Sequence, residues 1–286
     1  MAIDRLQTKI RKMKNPSMLA FSYDLSLVPP QYLEGQPDGF AAYAQYAGAI
    51  LNVLRQTVPA VRFDFASFAL QGTGGLALLN RLMESAQEME YYLLLDAPAV
   101  YSKQGAVLTA DALLQNWKFD GLVLNCYIGS DGVKPFVDAL ADSDKDLFLV
   151  LRTANKSASE MQDLLTGTRL VYTVAADMAK RLGADLICRN GYSRIAGIGP
   201  ATSPEALQSL RSKYPAMFLL IDGYDYSGAN AKNCSVAFDK LGHGAIACAR
   251  DSVLGAWKEE PGGPIELAMQ AADRMKKNLM RYIAIL

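Results

Sequence analysis

The chain has 286 residues, of which 51% are hydrophobic and 20% charged, and this length and composition suit one domain built around one core. Its 29 basic and 29 acidic residues cancel, which argues against a nucleic-acid or anionic membrane partner, because both attract an excess of positive charge. The sequence has a single histidine, His243, and no cluster of metal-ligand spacing, so we expect neither a Ser-His-Asp hydrolase nor a multi-histidine metal site, and neither a metal nor a cofactor.

The N-terminal segment 1–14, MAIDRLQTKIRKMK, is charged and amphipathic. It lacks the uninterrupted apolar run of a signal peptide, and no later segment has the apolar length of a membrane-spanning helix. The cysteines at 126, 188, 234 and 248 show no Cys-x-x-Cys spacing and stand mostly in apolar surroundings, as reduced core thiols do. We therefore expect a cytoplasmic protein.

Short apolar runs then alternate with longer segments of helical period, such as Gly74–Gln87 and Thr202–Lys213. Eight runs predict strands: Met18–Asp24, Ala60–Phe65, Tyr91–Ala97, Gly121–Asn125, Leu147–Arg152, Arg194–Ile198, Met217–Asp222 and Gly244–Ala249. The alternation is typical of parallel strands covered by helices, and eight units predict an α/β fold, a closed (β/α)8 TIM barrel.

After the last strand, Pro264–Leu286 forms one more amphipathic pattern behind a Pro-Gly-Gly-Pro break. We expect residues 1–286 to form a single barrel domain, with 262–286 as a C-terminal helix packed on it. The reacting groups of such a barrel stand at the C-terminal ends of its strands, because loops from every strand meet there.

Polar residues occupy most of the predicted strand ends: Asp24, Arg62, Asp64, Asp96, Asn125, Arg152, Thr153, Asn155, Asp222 and Arg250. Any one of them could equally cap a helix or pair with a neighbour. A cluster of Asp24, Arg62, Asp64 and Asp96 that performs acid-base chemistry or binds a cation is one interpretation, for which the fold alone specifies no reaction.

Four sequence segments stand out: FDFASFALQGTGGLALLNRLM at 63–83, LNCYIGSDGVKPFVD at 124–138, LVLRTANKSASEMQDLL at 149–165 and NGYSRIAGIGPATSPEAL at 190–207. Each resembles the corresponding string of the longer bacterial type of orotidine 5′-phosphate decarboxylase, and the resemblance spans nearly the whole chain. It implies a homodimeric barrel without a cofactor that converts orotidine 5′-phosphate to UMP and CO2 in pyrimidine biosynthesis.

The family's functional residues are only partly present. The family's Gly-Leu-Asp reads Ser-Tyr-Asp and ends in Asp24, which the resemblance places near a ribose. The lysine of the second strand is replaced by Arg62. The family's Asp-x-Lys-x-x-Asp keeps Asp96 but has Pro98 and Tyr101 in place of the catalytic lysine and the second aspartate.

These replacements matter because decarboxylation leaves a vinyl-carbanion-like centre, which an adjacent ammonium group stabilises and protonates. Proline supplies neither charge nor proton, and an arginine such as Arg62 does not readily release one. We therefore expect no decarboxylase activity. A second register stays open, in which Lys103 of Lys-Gln-Gly follows a five-residue insertion and acts as the catalytic lysine of a working decarboxylase.

Members of the family bind the phosphate of the nucleotide with a glycine-rich turn after the seventh strand and an arginine after the eighth. Arg250 in ACARDSV and Gly228 match these positions, whereas IDGYDYSG introduces Tyr226 and the carboxylates of Asp222 and Asp225. Because added carboxylates repel a phosphate, Arg250 either binds a phosphate or forms a salt bridge to one of these two aspartates.

The string RTANKS matches a family loop that contacts the pyrimidine base, with Thr153 and Asn155 as candidate ligand residues. Asp64 and Asn125, at the ends of the second and fourth predicted strands, complete the candidate set. We expect a small-molecule ligand, with a nucleoside monophosphate as one candidate. We also expect a homodimer, because family members pair with their mouths near the interface.

Overall fold

The computed structural model describes residues 1–141, 143–226 and 229–284. Within these residues eight parallel strands close into a barrel, in the spatial order β1-β10-β9-β8-β5-β4-β3-β2. The strands are β1 (Ser17–Phe21), β2 (Ala60–Asp64), β3 (Tyr92–Asp96), β4 (Gly121–Asn125), β5 (Asp146–Val150), β8 (Ser193–Pro200), β9 (Met217–Asp222) and β10 (Ala245–Ala249). The predicted (β/α)8 TIM barrel is confirmed.

Helices surround this barrel: α1 (Ala2–Met13), α2 (Pro30–Leu33), α3 (Gly39–Leu54), α4 (Phe65–Ala69), α5 (Gly72–Glu88), α6 (Lys103–Asn116), α7 (Ser130–Leu140), α8 (Val171–Leu182), α9 (Pro204–Lys213), α10 (Ala231–Ser235), α11 (Asp251–Leu254) and α12 (Pro264–Met280). Short 3₁₀ turns occur at Leu25–Leu27, Lys156–Glu160 and Ala256–Lys258. Over the described part of the chain, none of these helices has the length and apolar character needed to cross a membrane.

All eight predicted strands occur: β4 and β9 have the predicted bounds, and the ends of the other six differ from the prediction by at most three residues. The strand interiors are almost continuously buried, because each parallel strand faces the barrel interior on one side and helices on the other. A small hairpin of β6 (Leu165–Thr166) and β7 (Arg169–Leu170) lies between β5 and α8 and was not predicted. Its two-residue strands are largely exposed and are too short to show an alternating pattern.

The C-terminal helix α12 begins at Pro264 as predicted but ends at Met280, whereas the pattern predicted helix to Leu286, which lies outside the described residues. The chain turns after Met280 so that Ile283 is buried beside Gly242. Gly242 has a φ of +72°, and a Cβ atom there would lie 2.4 Å from the backbone oxygen of Ala284. The close approach of residues 283 and 284 to Gly242 accompanies the end of the helix, even though its apolar period continues.

The N-terminal half of the barrel interior is solidly filled. Phe148 of β5 contacts Tyr92 of β3 and Phe218 of β9, with ring centroids 6.5 Å and 6.3 Å apart. Below these rings the buried carboxylate of Asp146 accepts a hydrogen bond of 2.9 Å from the Tyr92 hydroxyl and lies 4.0 Å from the Arg194 guanidinium. The barrel is therefore a packed core, and polar side chains at its C-terminal end face a cavity.

Candidate functional site

A cavity of 260 Å³ opens at the C-terminal end of the barrel, and we call it the mouth. Strands β1, β2, β3, β9 and β10 and the loops that follow them supply its walls. Its charged lining residues are Arg62, Asp64, Asp96, Asp222, Asp225, Arg250 and Asp251. Of the predicted site residues, five line this cavity: Arg62, Asp64, Asp96, Tyr226 and Arg250.

Arg62 occupies the centre of the mouth. Its Nε and Nη2 atoms donate to the two carboxylate oxygens of Asp96 at 2.7 Å and 2.8 Å, a bidentate geometry that suits the planar guanidinium. Its Nη1 atom lies 3.3 Å from Oδ2 of Asp222. One arginine therefore links the ends of β2, β3 and β9 across the barrel opening.

The ionisation of this cluster follows from its burial and pairing. Burial alone would lower the pKa of Arg62, but the carboxylates of Asp96 and Asp222 raise it well above its ordinary value. Burial raises the pKa of Asp96, and the guanidinium of Arg62 opposes this shift only in part. Arg62 is therefore a permanent cation that cannot deliver a proton at neutral pH.

The residues that follow Asp96 bring no cation to the mouth. Residues 97–102 form an irregular segment in which Tyr101 is 89% exposed to solvent. Lys103 is also exposed and begins α6, where the hydroxyl of Ser102 caps the helix by accepting a 3.0 Å hydrogen bond from the N–H of Gly105. Within the described ranges no lysine lines the mouth.

Asp225 is bound to the backbone at the start of α11. Its Oδ2 atom accepts hydrogen bonds from the backbone N–H groups of Arg250 at 2.5 Å and Asp251 at 2.9 Å, at the start of α11. The Arg250 guanidinium instead donates to Asp251 at 2.7 Å. Of the two alternatives for Arg250, the salt bridge to Asp222 or Asp225 is not formed, because Asp222 pairs with Arg62, Asp225 accepts from backbone amides and the Arg250 guanidinium pairs with Asp251.

Four predicted ligand residues lie outside the mouth lining: Asp24, Asn125, Thr153 and Asn155. The side chains of Asp24 and Asn125 each accept a hydrogen bond from the backbone N–H two residues later, as in Asx turns. Thr153 and Asn155 bond to polar side chains within the loop after β5. The predicted residue Gly228 lies outside the described residues.

Cys248 is a lining residue that the sequence reasoning missed. It is 4% exposed, and burial raises the pKa of its thiol, which the charge of Arg62 opposes. The signal was present in the sequence, because Cys248 precedes Arg250 by two residues and alternate residues of a strand share a face. In the described part of the chain no group of histidine, cysteine and acidic residues is arranged to hold a metal ion.

Comparison with known proteins gives a consistent picture. The chain is 28% identical over 287 residues to an orotidine 5′-phosphate decarboxylase of Clostridium acetobutylicum, covering 99% of this chain and 100% of that protein. It is 26% identical to the decarboxylase of Clostridium novyi, covering 98% of each protein. No family model matches the chain.

Among solved structures, the orotidine 5′-monophosphate decarboxylase of Plasmodium berghei superimposes with a TM-score of 0.80 at 13% identity, over 98% of both chains. That of Leishmania donovani gives a TM-score of 0.74 at 19% identity, again over 98% of both chains. These structures share the fold. The resemblance to orotidine 5′-phosphate decarboxylases that the four strings predicted is thus confirmed over nearly the full chain.

The Arg62→Met variant tests the central ion pair. We expect the free energy of unfolding near neutral pH to fall by about 3 kcal/mol, because the partly buried Asp96 carboxylate loses its cation. Adding Asp96→Asn should recover part of this loss. Urea denaturation measures the effect, and Arg169→Met, which breaks the exposed Arg169–Asp177 pair, is the control, with an expected loss below about 1 kcal/mol.

The stability of Arg62→Met should also depend on pH, in a direction set by the pKa of Asp96. Without Arg62 the pKa of Asp96 rises further above its ordinary value, so the folded variant holds a proton that the unfolded chain releases. The free energy of unfolding of Arg62→Met should therefore fall more steeply than that of the wild type as the pH rises from the ordinary pKa of Asp96 to its raised pKa in the folded variant. A deficit that is constant from acidic to neutral pH would show that packing alone accounts for it.

Proposed function

We propose that this chain is an orotidine 5′-phosphate decarboxylase-like barrel that does not decarboxylate orotidine 5′-phosphate and that binds a small ligand lacking a phosphate group in its mouth. The observation that carries the proposal is the bidentate pairing of Asp96 with Arg62, with no lysine among the described lining residues. The retained carboxylate has an arginine as its partner and not an ammonium group.

The chemistry of decarboxylation supports the first half of this proposal. A departing CO2 leaves an anionic carbon that needs both charge stabilisation and a proton. The Arg62 guanidinium supplies positive charge, but both of its donating edges are engaged by Asp96 and Asp222. A group with such a high pKa also transfers no proton at neutral pH.

The absence of a phosphate from the proposed ligand rests on Asp225. In TIM barrels, phosphate is frequently bound by the loops after the last two strands and the N-terminus of a short helix. Here those elements are the loops after β9 and β10 and helix α11. The Asp225 carboxylate already accepts hydrogen bonds from the backbone N–H groups of Arg250 and Asp251. Two guanidinium groups and five carboxylates line the mouth, and this excess of negative charge opposes a further anion.

A working decarboxylase is the second candidate, and the full-length similarity to proteins of that name favours it. It needs Lys103 as the proton donor. In that case Lys103 would have to leave the first turn of α6, break the Ser102 cap and displace Arg62 from Asp96. A third candidate, an acid-base cluster, keeps Arg62, Asp64 and Asp96 together in one cavity but leaves Asp24 outside its lining.

Turnover of orotidine 5′-phosphate tests the choice between the first two candidates. We expect turnover at least about 10²–10³-fold below that of a working relative, because that is the loss when a single preorganised electrostatic donor is removed, and the missing ammonium group would also have been the proton donor. The loss of substrate absorbance measures it, with the Clostridium acetobutylicum relative as the positive control. Turnover comparable to that of the relative, abolished by Lys103→Met, would establish the second candidate.

Inorganic phosphate tests the ligand class. We expect the melting temperature of the wild type to be unaffected by phosphate, whereas Asp225→Gly, which frees two backbone amides and removes one negative charge, should be stabilised by it. Asp222→Asn is the matched control, since it removes the same charge but leaves Asp225 on the amides. Stabilisation of the wild type equal to that of Asp225→Gly contradicts the proposal.

The proposed assembly is a homodimer in the cytoplasm. Large apolar side chains are exposed after β2, β3 and β4, on the mouth side of the barrel: Leu70, Tyr101, Leu108 and Tyr127. Tyr101 also stands where the family has the aspartate that reaches the neighbouring subunit's site. The four cysteines are free and buried, as in proteins of a reducing compartment.

Light scattering tests the dimer. We expect a particle of twice the 31.1 kDa chain mass, and we expect Leu108→Glu to yield monomers, because it places a charge on the apolar surface. Leu241→Glu alters a similarly exposed leucine at the opposite end of the barrel and should leave the dimer intact. A monomeric wild type refutes this assembly.

A further inference from the structure

A second cavity lies at the opposite end of the molecule from the mouth, and we call it the lower cavity. Its volume is 560 Å³, within the range of small-molecule sites. It is bounded by α1, by the C-terminal ends of α5 and α6, and by the start of β3. Helix α6 packs against α7, whereas α5 packs against α3 and α4, so the helix layer opens between α5 and α6.

Aromatic rings form part of the wall of the lower cavity. Trp117 follows the last turn of α6, is half-buried, and contacts the ring of Phe65 edge-on at 5.4 Å between centroids. Phe119 and Tyr91 also line the cavity and are buried. The edge contact fixes the indole of Trp117 while leaving part of it exposed to the cavity, which provides a surface for a planar ring.

The charges in the wall are predominantly positive. Arg5 is neutralised by its ion pairs with Asp120 and Asp144. The remaining lining charges are three lysines and one glutamate: Lys9, Lys118, Lys145 and Glu90. The mouth at the other end has an excess of carboxylates, so the two cavities favour ligands of opposite charge.

Two of the lysines, Lys145 and Lys9, are held by hydrogen bonds to the backbone. The amine of Lys145 donates to the backbone oxygen of Phe119 at 2.6 Å and lies 4.2 Å from the centroid of its ring. The amine of Lys9 donates to the backbone oxygen of Glu90. Each ammonium group has three donors, so both retain hydrogen-bonding capacity toward a ligand. Burial lowers the pKa of Lys9 and of Lys145, which a bound anion would reverse.

We propose that the lower cavity is a binding site for a planar aromatic anion, with the ring of the ligand against Trp117 and its anionic group near Lys118 and Lys145. Ring stacking and charge-assisted hydrogen bonds act together in such a site, and neither an uncharged ring nor a bare anion makes both contacts. This inference is independent of the function proposed for the mouth, because the packed rings of Tyr92, Phe148 and Phe218 lie between the two ends of the barrel.

The test uses Trp117 as its own reporter. The chain has two tryptophans, so Trp257→Phe leaves Trp117 as the only source of indole fluorescence. Adenosine 5′-monophosphate is the probe with ring and anion, adenosine has the ring alone, and inorganic phosphate the anion alone. We expect saturable quenching by adenosine 5′-monophosphate and at least about tenfold weaker binding of the other two, since a hydrogen bond to a charged group contributes about 1.5–3 kcal/mol.

Two lysine variants and two controls locate the bound probe. Lys145→Met should weaken adenosine 5′-monophosphate binding about tenfold, and Lys240→Met, the same change at an exposed residue outside the cavity lining, should not alter it. Lys118→Met provides the test if circular dichroism shows that Lys145→Met is unfolded. Arg250→Ala in the mouth should leave the quenching of Trp117 unchanged.

Three results would overturn the inference: no quenching of Trp117 by adenosine 5′-monophosphate, equal affinity for adenosine, or binding that Lys145→Met and Lys118→Met both leave intact. Loss of binding in Arg250→Ala would also overturn it by placing the probe in the mouth. That last result would contradict the ligand class proposed for the mouth as well, whereas the first three leave the mouth proposal unaffected.

Discussion

The ion pair of Arg62 with Asp96 is the interaction on which the rest of the mouth depends. The two side chains come from adjacent strands in which Arg62 is in register with Leu94 and Asp64 with Asp96, so the guanidinium reaches two residues along the neighbouring strand. Its third nitrogen faces Asp222 from β9. Because removing one member leaves a desolvated charge, the three groups stabilise each other only as a set.

The pairing also keeps the mouth polar with no ammonium group among its described lining residues. An ammonium group beside Asp96 could both stabilise negative charge and transfer a proton, whereas the guanidinium of Arg62 retains its proton. On the other side of the mouth, Asp225 occupies the amides of Arg250 and Asp251. At both places the polar groups of the mouth are paired with other groups of the protein.

The sequence predicted the strands well, because an apolar run between polar ends is the direct consequence of a parallel strand buried on both faces. It predicted less well where long-range contacts decide the outcome. The apolar period of α12 continues past Met280, but the helix ends there and residues 283 and 284 approach Gly242 closely. The ion pairs of the mouth could not be predicted either, because the sequence does not show whether Asp225 pairs with a guanidinium group or accepts hydrogen bonds from two backbone N–H groups.

The opposite charges of the two cavities agree with the direction of the helices. In a (β/α)8 barrel every helix runs antiparallel to its strand, so helix N-termini surround the mouth and helix C-termini surround the other end. Free carbonyl groups at helix C-termini attract cations, and free N–H groups at N-termini attract carboxylates. In the mouth, Asp64 and Asp225 accept from backbone N–H groups at the starts of α4 and α11, whereas Lys9 and Lys145 donate to the carbonyl oxygens of Glu90 and Phe119 in the segments that follow α5 and α6. The lining residues have an excess of carboxylates in the mouth and an excess of cations in the lower cavity, so the two ends of the barrel differ in charge in the same sense as the helix termini around them.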